Sequence, residues 1–468
     1  MDDEAKPEVS LKRALGLFSS TMLVVGLLIG SGVFKKIIPM AQTGMGETAI
    51  LMAWAVAGII SLFGALTVGG LASLTEESGG VYEYLKLSFG KFPAFLSGWA
   101  DFMIIGPGAI AAIGFLFAQI VNSVIPLPNP LEAWGHISIG GFIFPFAQSG
   151  VKLIGIATIV FLTGINWLGS HESGIINNII TATKILGILI LTFLGITYAG
   201  PEAVGEPLAT TGAAPEGVLL YSAFLTAMLS AFWAYNGWDT STSISGEVIN
   251  PKRNVPLAMT YGILIVMGVY VLVNYAYMHV LPLETLRAVG ENEIGGLVVA
   301  ETLLGGFGKI FFMMLLVICV FGCLNSNIVA VPRKYFRMAQ EGLFFKNASR
   351  VHPRFRTPHV ALTYSMLWSC LLLVSGSFDM LTDMVIFASF LIYSVLSVAV
   401  FKMKRNGTIK VKMIGYPLIP LAFFLFSFAF IMNTLWVQPK QSAFGLLLIL
   451  SGIPFYYYFR KVNAKISA

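Results

Sequence analysis

Charge is what this sequence has least of. Asp, Glu, Lys and Arg make up 11% of its 468 residues, 56% are hydrophobic, and the mean hydropathy is +0.81. So little charge cannot cover a soluble domain of this length, which excludes the soluble globular class. Cysteine is scarce too. Cys319, Cys323 and Cys370 all fall in apolar stretches, without zinc spacing or a disulfide framework, and read as packing residues. The five histidines, His136, His171, His279, His352 and His359, sit in loops or near the ends of apolar runs. Asp101 and Asp239, the acids nearest run interiors, have no evident base beside them. An intramembrane enzyme needs such groups to converge, and a channel would carry a charged or carbonyl ring that is not evident here. With no long Pro/Ser-rich linker or low-complexity tract, the chain reads as one domain over residues 1–468.

What the sequence has in abundance is apolar runs of membrane-crossing length. A span needs about 20 apolar residues, and twelve are read near 14–38, 48–73, 94–122, 151–170, 174–199, 217–247, 256–281, 305–338, 359–377, 382–401, 413–435 and 441–459. The expected class is an all-α integral membrane protein of the plasma membrane. Most of the 29 basic residues then fall on one side, leaving Lys35, Lys36, Lys152, Arg287, Lys309 and Lys440 on the other and Lys184 within a run. Positively charged segments stay inside, so both termini are expected in the cytoplasm. The net charge of +6 and pI near 9.0 follow from these topology-setting residues and do not call for nucleic acid. The first run is too long and too glycine-broken for a signal-peptide core, no small-residue cleavage site follows it, and it is expected to be retained.

Two of the runs contain helix breakers. Gly26-Leu-Leu-Ile-Gly-Ser-Gly-Val-Phe34 lies in the first, and Asn236-Gly237, a strong turn signal, interrupts Leu229–Asp239 in the sixth. Unwound backbone survives at membrane depth only inside protein or along a polar cavity. Spans 1 and 6 are an odd number of steps apart and so enter from opposite sides. Interrupted helices at matching positions of two inverted halves point to a secondary transporter's binding site. By contrast, the lone glycines Gly64, Gly187 and Gly262 read as helix-packing residues.

The broken ends carry opposite polarity. The outer half of span 1, starting near Ser31, presents free N–H groups and a positive dipole end. Its inner half ends in carbonyls from Gly26 to Ile29, and span 6 ends in carbonyls near Trp233 and Ala234. Together they form a carboxylate cradle and an ammonium cradle, the charge pattern of an α-amino acid. Glycine is needed because a side chain would keep the carboxylate from the N–H groups. Lys184, about ten residues into span 5, puts an ammonium near the bilayer centre, where a charge is costly and usually functional. Placed beside the carbonyls of span 1, it could replace a bound sodium. Trp233 and Trp238 bracket the second break, as core aromatics or, for Trp233, as a gate over the substrate.

On these residues the chain resembles the amino acid–polyamine–organocation superfamily, and within it the L-type amino acid transporters and their bacterial relatives. Beyond Gly26–Phe34, the likeness rests on Ser78-Gly-Gly-Val-Tyr-Glu-Tyr84, Trp233-Ala-Tyr-Asn-Gly-Trp238 with Glu247-Val-Ile-Asn-Pro-Lys-Arg-Asn-Val-Pro256, and Met338-Ala-Gln-Glu-Gly-Leu343 with Val351-His-Pro-Arg-Phe-Arg-Thr-Pro358. The resemblance implies a LeuT-type fold of 12 transmembrane helices working by alternating access. Helices 1 and 6 would be discontinuous, with a 5+5 inverted repeat of about 14–199 and 217–401 and two additional helices over 413–459. It implies that the substrate carboxylate meets Gly30, Ser31 and Gly32 and that its amine meets carbonyls of Leu28, Trp233 and Asn236. Lys184 would stand where sodium sits in sodium-coupled relatives, and Trp233 would be the gate. Ile105 to Ala109, Asn236, and Phe387 to Phe390 are the candidates for the side-chain pocket.

Two departures bear on substrate and partners. Asn236 is neutral where relatives that take cationic amino acids can carry an acid, favouring neutral substrates. Residues 123–150 lack the cysteine that animal members use to bond a heavy chain, so no disulfide-linked partner is expected. The expected activity is sodium-independent exchange of neutral L-amino acids, with proton symport as the alternative and no cofactor or metal.

Overall fold

The computed structural model describes residues 15–75, 79–169, 174–199, 215, 217–290 and 293–464. Lys6, Lys12, Arg13, Ser78, His171 and Lys465 lie outside them.

The described chain is almost entirely helical. The first broken run gives α1 (Leu17–Leu28), α2 (Gly32–Lys35) and α3 (Ile37–Ala41), followed by α4 (Glu47–Ala72) and a short α5 (Gly80–Phe89). Then come α6 (Lys91–Ala100), a π-helical turn (Asp101–Ile105), α7 (Gly106–Asn122), α8 (Ser149–Trp167) and α9 (Gly174–Ile196). The second broken run gives α10 (Gly217–Ala234) and a 3-10 segment (Trp238–Glu247). The rest is α11 (Pro251–Val280), α12 (Leu283–Ala288), α13 (Gly295–Ala330), α14 (Pro332–Gln340), α15 (His359–Ser375), α16 (Phe378–Arg405), α17 (Leu418–Val437), α18 (Pro439–Leu450) and α19 (Gly452–Ala464). Ten stretches among the described residues are long and apolar enough to cross a membrane, and the shorter apolar helices Thr181–Ile196 and His359–Ser375 occupy two further expected intervals. The 26 residues of α4 extend about 39 Å, comfortably more than a hydrocarbon core of about 30 Å.

Each interruption has a local cause. α1 ends where the Ile29 N–H bonds Val25 O (2.8 Å) and the Gly30 N–H turns back to Leu28 O (2.8 Å). In the second run Gly237 has φ 112°, a conformation open cheaply only to glycine. The run was read to 247, with its break at Asn236-Gly237 and no change of helix type beyond it. Instead it tightens to 3-10, because hydroxyls donate to carbonyls three residues back: Ser241 to Trp238 O (2.8 Å), Thr242 to Asp239 O (2.5 Å) and Ser245 to Thr242 O (2.7 Å). The π-turn in span 3 immediately precedes Gly106-Pro107, where proline supplies no N–H for a helical bond. The eighth run begins at Gly295 rather than at 305, since Gly305 at φ 63° bends the helix there.

Close packing brings the interrupted ends together. A Cβ on Gly32 would lie 2.5 Å from the Ala234 Cα, so the two breaks touch backbone to backbone. Gly64, Gly187 and Gly262 press against Phe423 and Trp238, Leu315, and Val24 respectively. The loop after α7 lies at the opposite end of the spans from α5, and Lys152 ties it down by donating to Phe144 O (2.6 Å) and Val374 O (2.9 Å).

Candidate substrate-binding site

Tyr270 on α11 stands behind both breaks. Its hydroxyl lies 2.6 Å from Leu28 O and 3.1 Å from Ala234 O, within donating reach of the last carbonyls of α1 and α10. The ring is fully buried and wedged against Trp54 (centroids 5.5 Å) and Tyr235 (5.2 Å). On the other side of the junction the Trp233 indole N–H donates to the Ser31 hydroxyl at 3.0 Å, so the breaks are joined a third time.

These groups line a cavity of about 970 Å³ of empty space, counting its open mouth. Of the residues singled out in the sequence, it brings together Leu28, Gly30, Ser31, Gly32, Ile105, Ala109, Trp233 and Asn236. The Leu28 carbonyl already accepts from Gly30 N–H and lies in reach of the Tyr270 hydroxyl, and Trp233 O accepts from Asn236 N–H (3.2 Å). Among the described residues nothing donates to the Asn236 carbonyl.

Lys184 is buried behind the cavity wall rather than on it. It follows by one helical turn Thr181, whose Oγ1 would be 2.5 Å from a Cβ on Gly26, and its charge reaches Cys319 and Cys323. Cys323 in turn flanks Gly30, where a Cβ would meet its Sγ at 3.0 Å. Phe387 and Phe390 are not on the cavity wall. Phe390 packs against Phe232 and Phe430, each at 4.5 Å, and Phe387 is buried near Gly445. The face of α16 that meets the cavity is Ser389, Ile392 and Tyr393, the i, i+3, i+4 set, and 387 and 390 are rotated off it.

The cavity reaches α5, where Tyr82, Asp101, Asp239 and Lys334 line it. Lys334 bonds Asp101 Oδ1 (2.7 Å), and the Tyr335 hydroxyl donates to Asp101 Oδ2 (2.9 Å). The opposite end is sealed. Lys35 and Lys36, counted from the sequence among the basic residues on the other side, are buried, each about 5 Å from the Phe378 ring, which stands edge-on to Trp233 at 6.0 Å. Lys36 bonds Asp379 (2.6 Å) and Thr382 (2.7 Å), and Lys35 bonds Gln119 (2.7 Å). Sequence reasoning missed Tyr270 and Lys334 as site residues. It noted Asp101 and Asp239 only as isolated acids. Among the described residues no three His, Cys, Asp or Glu side chains converge to hold a metal ion.

A family model of amino acid permeases matches residues 15–458. The chain belongs to the amino acid permease family. It is 30% identical to the serine/threonine exchanger SteT of Bacillus subtilis (strain 168), over 97% of this chain and 98% of that one. It is 28% identical to the mouse b(0,+)-type amino acid transporter 1, over 96% and 88% of the two chains. It is also 28% identical to the human cystine/glutamate transporter, over 97% and 86%. This permease is a multi-pass membrane transporter rather than an enzyme, and its broken first and sixth runs fit the LeuT-type fold of the family.

Proposed function

We propose that the permease exchanges neutral L-α-amino acids across the plasma membrane without sodium. The observation that carries this reading is the junction of the two breaks: Gly32 pressed on Ala234, with Tyr270 spanning Leu28 O and Ala234 O. Gly30, Ser31 and Gly32 line the same cavity as Trp233 and Asn236; with the Gly30 N–H turned back to Leu28 O, the amides of Ser31 and Gly32 are the donors and the Asn236 carbonyl the acceptor that one small zwitterion can meet together. Asn236 adds no charge for a cationic side chain. Lys184 supplies a fixed ammonium close to the end of α1, which makes a sodium ion redundant there. The inverted halves are 14–199 and 217–401. The one relative named an exchanger, that of Bacillus subtilis, favours obligatory exchange.

The α5 side carries Lys86, Arg333, Lys334 and Arg337, and the positive-inside rule favours the cytoplasm for it and for both termini. The cavity then opens inward, in an inward-facing state. Residues 123–150 offer no cysteine to a heavy chain, and the transporter works as a single subunit. Counterflow in proteoliposomes tests the reading: labelled amino acid should enter only when unlabelled amino acid is inside, equally in sodium and choline buffers. Uptake indifferent to internal amino acid would overturn exchange, and a requirement for sodium would overturn the role of Lys184.

A further inference from the structure

The polar groups near the breaks are mostly committed to the protein itself. The Ser31 hydroxyl accepts from Trp233, and the Ser389 hydroxyl donates to Val385 O (2.8 Å). Asn327 is different. It lines the cavity one turn of α13 beyond Cys323, the residue that flanks Gly30. Its side-chain amide bonds Cys323 O at 2.9 Å. A carbonyl can only accept, so the bonded atom must be the amide nitrogen, and the remaining atom is the oxygen. Among the described residues nothing donates to that Oδ1. The Asn236 carboxamide, on the same cavity, also makes no side-chain bond among them. Ile105, Ala109 and Ile113 are among the apolar residues of the same cavity.

We propose that Asn327 reads a hydrogen-bond donor on the substrate side chain, so that the permease selects small hydroxylated α-amino acids over their apolar isosteres. The inference rests on the transport reading above and adds the side chain to it. With the substrate carboxylate at Gly30–Gly32, a β-hydroxyl lies two bonds from Cα, and Asn327 is about 6 Å along the helix from the level of Cys323. An acceptor held in place by its own amide bond is satisfied by a hydroxyl. A methyl group in its place leaves it unpaired, and a site built around such a bond discriminates strongly against the analogue that lacks it.

The test uses isosteric pairs in proteoliposome exchange by the full-length protein. Threonine should be preferred to valine, and serine to alanine, by about tenfold or more in kcat/KM. In Asn327→Leu, which keeps bulk and removes the acceptor, both ratios should fall toward one, while Asn327→Ser, which restores a short polar group, should recover part of them. A fold defect alone would lower all rates and leave the ratios in place. Ligand-induced melting shifts of the wild-type protein give the same threonine-to-valine comparison without any variant. Equal handling of threonine and valine by the wild type, or an undiminished ratio in Asn327→Leu, would overturn the inference while leaving amino acid exchange intact. If no α-amino acid were exchanged at all, the transport reading would fall and take this one with it.

Discussion

Tyr270 has one hydroxyl proton and two carbonyls in reach. Whichever accepts it, Leu28 O or Ala234 O, the hydroxyl holds the ends of α1 and α10 against each other in a place without solvent. Tyr270→Phe keeps the ring against Trp54 and Tyr235 and deletes only this bond. A buried polar group left without its partner costs about 1–3 kcal/mol, so the variant should melt lower and exchange with a several-fold higher KM. An unchanged KM in counterflow would mean that the carbonyl spacing is set elsewhere. Gly32 makes a harder demand. In Gly32→Ala the new methyl would sit 2.5 Å from the Ala234 Cα, a backbone atom that cannot swing aside. Exchange should be lost, whereas Gly268→Ala, in open space on α11, should be tolerated. Wild-type turnover by Gly32→Ala would show that the two breaks need not touch.

At the scale of elements, the second half of span 1 is fastened by two adjacent lysines pointing to different helices. Lys35 goes to Gln119 on α7 and Lys36 to Asp379 and Thr382 on α16, with Asp383 3.7 Å away. Lys36 is buried while Asp379 is only partly so, and removing the acid leaves the enclosed charge behind at a cost. Asp379→Asn should therefore loosen the seal, and amide hydrogen exchange over residues 32–41 should accelerate several-fold while α5 stays as protected as before. Unchanged protection at 32–41 would show that Phe378 and Trp233 close that end by packing alone. None of this was legible beforehand. The apolar runs and both breaks could be read because hydropathy, glycine and Asn-Gly are local signals. Lys36 and Thr382 are 346 residues apart, and nothing near Lys36 in the sequence distinguishes a sealing lysine from a loop charge. The same limit explains α16: its position at the cavity was foreseeable, but whether Phe387 and Phe390 or Ser389, Ile392 and Tyr393 face inward depends on a rotation set by α17 and α10. The tightening of residues 238–247 was nearer to hand, in the run of serines and threonines after Asp239.

For the whole molecule, alternating access means that a cavity open toward α5 must close there while the Lys36 seal opens. The mouth is framed by a tie between α5 and the end of α14: Lys86 bonds Glu341 (2.6 Å) and Glu83 (3.0 Å), and the Tyr82 hydroxyl donates to Glu341 (2.7 Å). Burial alone would raise the pKa of Glu341, but the bonds from Lys86 and Tyr82 and the charges of Lys86 and Arg337 outweigh it and hold the carboxyl below its usual 4.5. Burial likewise works against the charge on Lys86, and the two carboxylates outweigh it and raise its pKa above 10.5. A carboxyl depressed by folding stabilises fully above its unfolded pKa and loses that contribution as pH falls through the folded value; an elevated lysine does so below its unfolded pKa and loses it as pH rises through the folded value. The tie should thus be indifferent to pH between about 5 and 10 and weaken only outside that window. The stability difference between wild type and Glu341→Gln, followed by melting temperature, should stay level from pH 5 to 9 and shrink below about 4. A difference that already changes between pH 6 and 8 would mean that the mouth is framed by other groups. Because the tie does not titrate in the physiological range, any change in exchange rate there would come from groups other than those that frame the mouth.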